Sequence, residues 1–233
     1  MYNNELANER ELFVASTIAT HIDNSTSDIF VLTGSHAIEA LTGKNLKHND
    51  VDVNVFTDNI SDSITRAESF FEHRANFIKR ACFRNNRIDY VYQENCTESI
   101  FEIQFVEYSN VHEGDNGEIE YILQDEDSER VFCIPVITKP VTVNSETQEV
   151  YNFNIKSLHF AIATWALRIS EIAIDQKRNV RQSDYENFMH LIKTPYNNEL
   201  LRASIANHPQ APNDVIPEDV IYDALTKTQR QKI

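Results

Sequence analysis

Between His48 and Phe56 the chain reads HNDVDVNVF, an apolar–polar alternation with the two-residue period of a β-strand. Val51, Val53 and Val55 share one face, which reads as core. Asp50, Asp52, Asn54 and Phe56 share the other face, and its first three members are polar. Aspartates two strand steps apart have Cα atoms about 6.6 Å from each other, so both carboxylates can converge on one object. Like charges that close repel and raise each other's pKa unless something positive lies between them. A divalent cation meets that requirement.

The preceding segment supplies a frame for the pair. DIFVLTG, Asp28 to Gly34, reads as a short buried strand. SHAIEALTG follows as a helix with Ser35 at its start and Gly43 past its end. The free N–H groups and dipole at such a helix start favour a bound phosphate. Gly34 allows close backbone approach there, and the Ser35 hydroxyl adds a donor. If the two strands are neighbours, Asp50 and Asp52 reach the same helix start. A phosphate cradle beside two hard oxygen ligands suits Mg²⁺ and a polyphosphate together. Paired carboxylates also suit a two-metal site, with ions about 3.5–4 Å apart.

The rest of the chain divides by character. A helix is expected in NNELANERELFVASTIATHI, and another in SDSITRAESFFEHRANFIKR, Ser61 to Arg80. RACFRN and RIDYVYQ read as strands around a turn at Asn85 and Asn86, and SIFEIQFVEY as a further strand. The acidic stretch from His112 to Glu129 reads as a solvated loop or hairpin. RVFCIPVIT and QEVYNFN are expected strands. After them come SLHFAIATWALRISEIAI, a long apolar helix, and SDYENFMHLI, opened by a capping box of Ser183 and Glu186. Two more helices, in NNELLRASIANH and PEDVIYDALTKTQRQKI, complete a helical half. The order predicts an α+β protein: a mixed-sheet domain over 1–154 and a helical domain over 155–233.

Charge and cysteine usage exclude several classes. With 21 Lys and Arg against 36 Asp and Glu, the formal net charge is −15. That disfavours broad binding to nucleic acid or to an anionic membrane. No apolar run approaches the roughly 18 residues of a membrane span, and the first residues show no secretory pattern. Cys82, Cys96 and Cys133 are widely spaced and form no CxxC, so they read as reduced thiols of a cytoplasmic protein. Basic residues outnumber acidic ones between Lys156 and Arg202, which leaves room for a short tRNA end.

The stretch VLTGSHAIEALTGKNLKHNDVDVNVF, Val31 to Phe56, resembles the signature of the DNA polymerase β-like nucleotidyltransferase superfamily: strand, Gly-Gly or Gly-Ser turn, helix, and a strand with Asp-x-Asp. Gly34, Ala37, Leu41, Gly43, His48, Asp50 and Asp52 match the pattern of the aminoglycoside and lincosamide nucleotidyltransferases. KSLHFAIATWALRISEI and RNVRQSDYENFMHLI look similar to the helical half of the AbiEii-like toxin nucleotidyltransferases, through Arg181 and Asp184. The sequence departs from these patterns at Ser35, His36, Leu46 and Trp165, where the families carry Gly, Trp, Arg and Lys.

The resemblance implies a nucleotidyltransferase fold and transfer of a nucleoside monophosphate from an NTP co-substrate to a hydroxyl. The acceptor would be a small molecule such as an antibiotic, an RNA such as a tRNA end, or a protein. Two Mg²⁺ ions would be held by Asp50, Asp52 and a third acid, Glu102 in FEIQF, with Asp89 in RIDYVY as the rival. Gly34 and Ser35 would cradle phosphates, and Lys44, Lys47 or His48 would offset their charge. Glu102 could instead accept the acceptor hydroxyl's proton. The toxin branch implies an antitoxin partner. Asp184 is expected to cap its helix, Arg181 and Asp184 could pair with each other or approach the nucleotide, and Trp165, Phe160 and Leu167 are expected to be core. The competing reading is a nucleotidyltransferase-fold module that binds or regulates without catalysis.

Overall fold

The alternating segment forms a central strand of one nine-stranded sheet. The computed structural model describes residues 4–25, 28–44, 46, 50–83, 87–94, 97–114, 118–124, 130–170 and 180–231. In chain order these form α1 (Asn4–Ser25), β1 (Ile29–Leu32), α2 (Gly34–Thr42), β2 (Asp50–Thr57), α3 (Ile60–Glu72), β3 (Phe77–Phe83), β4 (Arg87–Glu94) and β5 (Thr97–Glu107). There follow β6 (Asn110–Glu113), β7 (Ile119–Gln124), β8 (Val131–Asn144), β9 (Glu149–Lys156), α4 (Leu158–Ile169), α5 (Gln182–Ile192), α6 (Asn198–Ala206) and α7 (Pro217–Arg230). The sheet order is β3-β4-β5-β2-β1-β9-β8-β7-β6. It is mixed: β2 runs antiparallel to β1 but parallel to β5, and β9 runs parallel to β1. The class is α+β, as the order of elements predicts. None of the described helices is long and apolar enough to cross a membrane.

Strand alternation sorts the core into layers. Val51, Val53 and Val55 are buried with Phe101, Ile103 and Phe105 of β5, under α1 and α3. Asp28, itself buried just before β1, accepts hydrogen bonds from Ser63 and Arg66 of α3 at 2.9 and 2.6 Å and ties that helix to the sheet. On the opposite face Phe56, Val31, Tyr121 and Phe160 form a smaller cluster. Ile38 of α2 joins residues of α4 to α7, such as Leu167, Phe188 and Leu201, in a third cluster. Helix α2 is thereby wedged between the sheet and the later helices.

Two local expectations change. The helix predicted to reach Arg80 stops at Glu72. Arg74 turns back, donating to the Phe70 carbonyl at 3.1 Å with its guanidinium 3.6 Å from the Phe70 ring centre. Phe77 then opens β3 opposite Tyr92, in ring contact with Phe71 and Phe101 as well. These partners are remote in sequence, so local periodicity does not reveal them. The capping box of α5 also shifts: Arg181 is the N-cap, and its N–H donates to Asp184 at 2.8 Å. A carboxylate at that position also meets the Arg168 guanidinium at 3.1 Å. The acidic stretch after His112 contains a hairpin, β6 with β7. The Asn85-Asn86 turn lies outside the described residues.

Candidate active site

The site begins with a contact made by absence of a side chain. Gly34 has φ +63°, and a Cβ built on it would lie 2.1 Å from Asp52 Oδ2. The carboxylate therefore occupies the space that any other residue at 34 would fill. The Thr33 N–H donates to the Asp52 carbonyl at 2.9 Å, so turn and strand are also joined through the backbone. Thr33 is extended and caps α2, whose other end closes on Gly43 at φ 65° with its N–H bonded to the Glu39 carbonyl. The two glycines fix the length and placement of this short helix.

The third carboxylate arrives through sheet register. In the parallel pair of β2 and β5, Glu102 lies opposite Asp52. Asp50, Asp52 and Glu102 each bring a carboxylate oxygen within 4.8 Å of the others'. Asp89 lies one strand further out, opposite Glu102, but is buried and bound to Arg87 at 2.9 and 3.3 Å. It is not a member of this set. Arg87 bridges the two acids, reaching Glu102 at 2.7 Å.

All three acids line one cleft of about 510 Å³ with Thr33, Gly34, Ser35 and Lys156. That volume falls within the usual range for small-molecule sites. The cleft's other wall comes from α4 and α5, with Trp165, Arg168, Arg181, Asn187 and His190. Trp165 is thus only partly buried: it packs against the helical core, as the sequence suggests, but also lines the cleft, with the Arg168 guanidinium 4.7 Å from its ring centre. Helical periodicity placed its side chain on the apolar helix but not relative to the cleft. Phe160 and Leu167 are buried.

Burial, reinforced by the charges of Asp50 and Glu102, pushes the Asp52 carboxyl up to about 7. Burial lowers Lys156 to about 8, against the pull of Asp52. Three hard oxygen donors held this close, one of them strained towards protonation, suit a divalent cation of the Mg²⁺ type. The donor set fits the group that the sequence resemblance implies.

The residues expected at the site are distributed as follows. Asp50, Asp52, Glu102, Gly34 and Ser35 meet in the cleft. Lys44 is exposed after α2 and does not line it. Lys47 and His48 lie outside the described residues. Lys156 and Arg87 were missed. A signal for Lys156 exists in YNFNIK, where Asn152, Asn154 and Lys156 alternate with Tyr151, Phe153 and Ile155 as the acids do with valines in β2. Only the parallel pairing of β9 with β1 brings that lysine beside the turn.

Three converging carboxylates and a Gly-Ser helix start thus line one cleft of a mixed-sheet α+β scaffold. No protein-family model matches the chain, and no curated protein does. Its backbone is similar to that of JHP933 from Helicobacter pylori, at 12% identity over 97% of this chain and 91% of that one, with a TM-score of 0.45. A protein from H. pylori provisionally described as a nucleotidyltransferase has 12% identity over 98% of this chain and 95% of that one, also at 0.45. A STING-associated CdnE c-di-GMP synthase from Capnocytophaga granulosa has 10% identity over 97% and 80%, at 0.38.

Proposed function

We propose that this protein is a metal-dependent nucleotidyltransferase that moves a nucleoside monophosphate from an NTP to a hydroxyl. The observation that supports the reading is the meeting of Asp50, Asp52 and Glu102 with the Gly34-Ser35 turn in one cleft. In the reaction the acceptor oxygen forms a bond to the α-phosphorus. The bond from that phosphorus to the bridging oxygen breaks, and pyrophosphate leaves with the electron pair. A divalent ion, when bound, neutralises charge on the triphosphate and the departing pyrophosphate.

The chain's own residues have separable tasks. Asp50, Asp52 and Glu102 hold the cation. The backbone at Gly34 and the Ser35 hydroxyl cradle the terminal phosphates at the start of α2, where the dipole favours negative charge. Lys156, on the same cleft wall, donates to a phosphate oxygen. Arg87 keeps Glu102 aimed, and Glu102 either holds the cation or takes the acceptor's proton. The planar Trp165–Arg168 pair offers a face for a base or a ring-bearing acceptor. The division into a catalytic domain, 1–154, and a helical domain, 155–233, belongs to the same proposal.

The test is incubation with Mg²⁺ and each α-labelled NTP, offering tRNA, aminoglycoside and lincosamide antibiotics, and proteins in parallel. The expected result is label transfer to one acceptor, lowered more than about a hundredfold in Asp50→Ala and Asp52→Ala. Nucleotide binding without transfer, unchanged in those variants, would replace this reading with that of a non-catalytic module.

A further inference from the structure

A second set of metal donors lies far along the sheet from the cleft, with a different chemistry. His112 on β6, Glu120 on β7 and Cys133 on β8 bring a ring nitrogen, a carboxylate oxygen and a sulfur within 4.8 Å of one another. The three come from three adjacent strands at the sheet's edge. His112 stands directly opposite Glu120 in the antiparallel register, and the two are paired at 2.5 Å. Pro135 stands opposite Glu120 on the other side, and Cys133, two residues before it, shares that face. The alternate face of β8 carries Phe132, Ile134 and Val136 into the core. The donor set is therefore on the side of this edge that the apolar cluster leaves free, and half of the His112 side chain is exposed.

Gly114 lies against the Glu120 side chain. A Cβ there would come within 2.9 Å of Glu120 Oε1. Hard, oxygen-only ligands in the cleft favour an ion such as Mg²⁺, whereas mixed nitrogen, oxygen and sulfur donors favour a borderline-soft ion, Zn²⁺ foremost. A plain ion pair needs only the imidazole and one carboxylate. The thiol completing a compact threefold set is what a tetrahedral ion with one open position requires.

We propose that His112, Glu120 and Cys133 bind a Zn²⁺-class ion that clasps the edge hairpin of β6 and β7 to β8. The site is independent of the proposed transferase chemistry. Its occupant would hold the last strand of the sheet, whose four residues are all exposed, to the strands that carry the core.

The test uses the full chain, stripped with chelator and returned to excess Mg²⁺ to satisfy the carboxylate cleft. Co²⁺ is then added, because thiolate ligation produces a sulfur-to-cobalt charge-transfer absorption that oxygen sites lack. The expected result is a band rising to one Co²⁺ per chain, displaced by Zn²⁺ and absent in Cys133→Ser. His112→Ala, at a half-exposed position, should weaken Zn²⁺ binding more than about tenfold. If Cys133→Ser does not fold, mass-mapped alkylation of the wild-type protein decides, with Zn²⁺ expected to protect Cys133. No band in the wild type, a band that survives Cys133→Ser, or unprotected alkylation would each overturn the site.

Discussion

Gly34 and Asp52 occupy one volume: the missing Cβ of the glycine is where the aspartate's carboxylate lies, 2.1 Å from Oδ2. Residues eighteen positions apart thus depend on each other, and the dependence can be measured. Gly34→Ala forces a side chain into left-handed backbone, at a cost of about 1–2 kcal/mol, and also displaces Asp52. Gly43→Ala carries the same backbone penalty at φ +65° with nothing within 4 Å of the added methyl. Urea denaturation should therefore show both variants destabilised, Gly34→Ala more. Only Gly34→Ala should lose Mg²⁺-dependent nucleotide binding.

The electrostatics of Asp52 give a pH signature in chelator-treated protein. Its carboxyl is raised from 3.8 to about 7, by burial first and then by Asp50 and Glu102. A raised folded-state value means stability is fully present below the unfolded value and is lost as pH rises through the folded one. Asp52→Asn should therefore stabilise the metal-free protein at pH 8, by an amount of order 2 kcal/mol, and have little effect near pH 4. Mg²⁺ should raise the melting temperature of the wild type at pH 8 and not that of the variant.

Asp184 should discriminate between its two arginines. It is fully buried, 3.1 Å from Arg168 and 3.7 Å from the mostly exposed Arg181. Removing the near partner leaves the buried charge with the backbone donor of Arg181 and that residue's distant, solvent-screened guanidinium. Arg168→Met is expected to cost about 2–3 kcal/mol, against less than about 0.5 kcal/mol for Arg181→Met. Chemical denaturation at pH 7 measures both.

His208 adds an acid-labile point beneath α4. Its Nδ1 accepts the Gln210 N–H at 3.1 Å, so the proton sits on Nε2, which donates to Thr164 Oγ1 at 3.0 Å. Thr164 in turn donates to the Phe160 carbonyl. Burial, with a contribution from Lys156, lowers His208 to about 3. A second proton would face a backbone donor. The unfolded chain takes up that proton below its ordinary value of 6.5, so stability falls as pH drops from 6.5 towards 3. The slope from this group is at most about 1.4 kcal/mol per pH unit, and it should be missing in His208→Gln.

Much of the site's frame was legible because it is local. The strand–turn–helix–strand from Ile29 to Thr57 follows from alternation, a left-handed glycine at each end of α2 and the apolar stripe between them. Glu102 was reachable because its strand alternates in phase with β2. What escaped depends on pairing across the sheet. Lys156 needed β9 beside β1, the start of β3 needed Tyr92 opposite Phe77, and Trp165 needed α4 to be placed against the cleft. The polar hairpin of β6 and β7 was one of two readings left open, because its residues carry the composition of a loop and only pairing at the sheet edge selects the strands.

Co-crystallisation with Mn²⁺ and a non-hydrolysable NTP locates metal and nucleotide together, through manganese anomalous scattering. An anomalous peak is expected within coordination distance of Asp50, Asp52 and Glu102, with the triphosphate laid over Gly34 and Ser35. A nucleotide bound elsewhere, or manganese that ignores these three carboxylates while the nucleotide is in place, would contradict the proposed function.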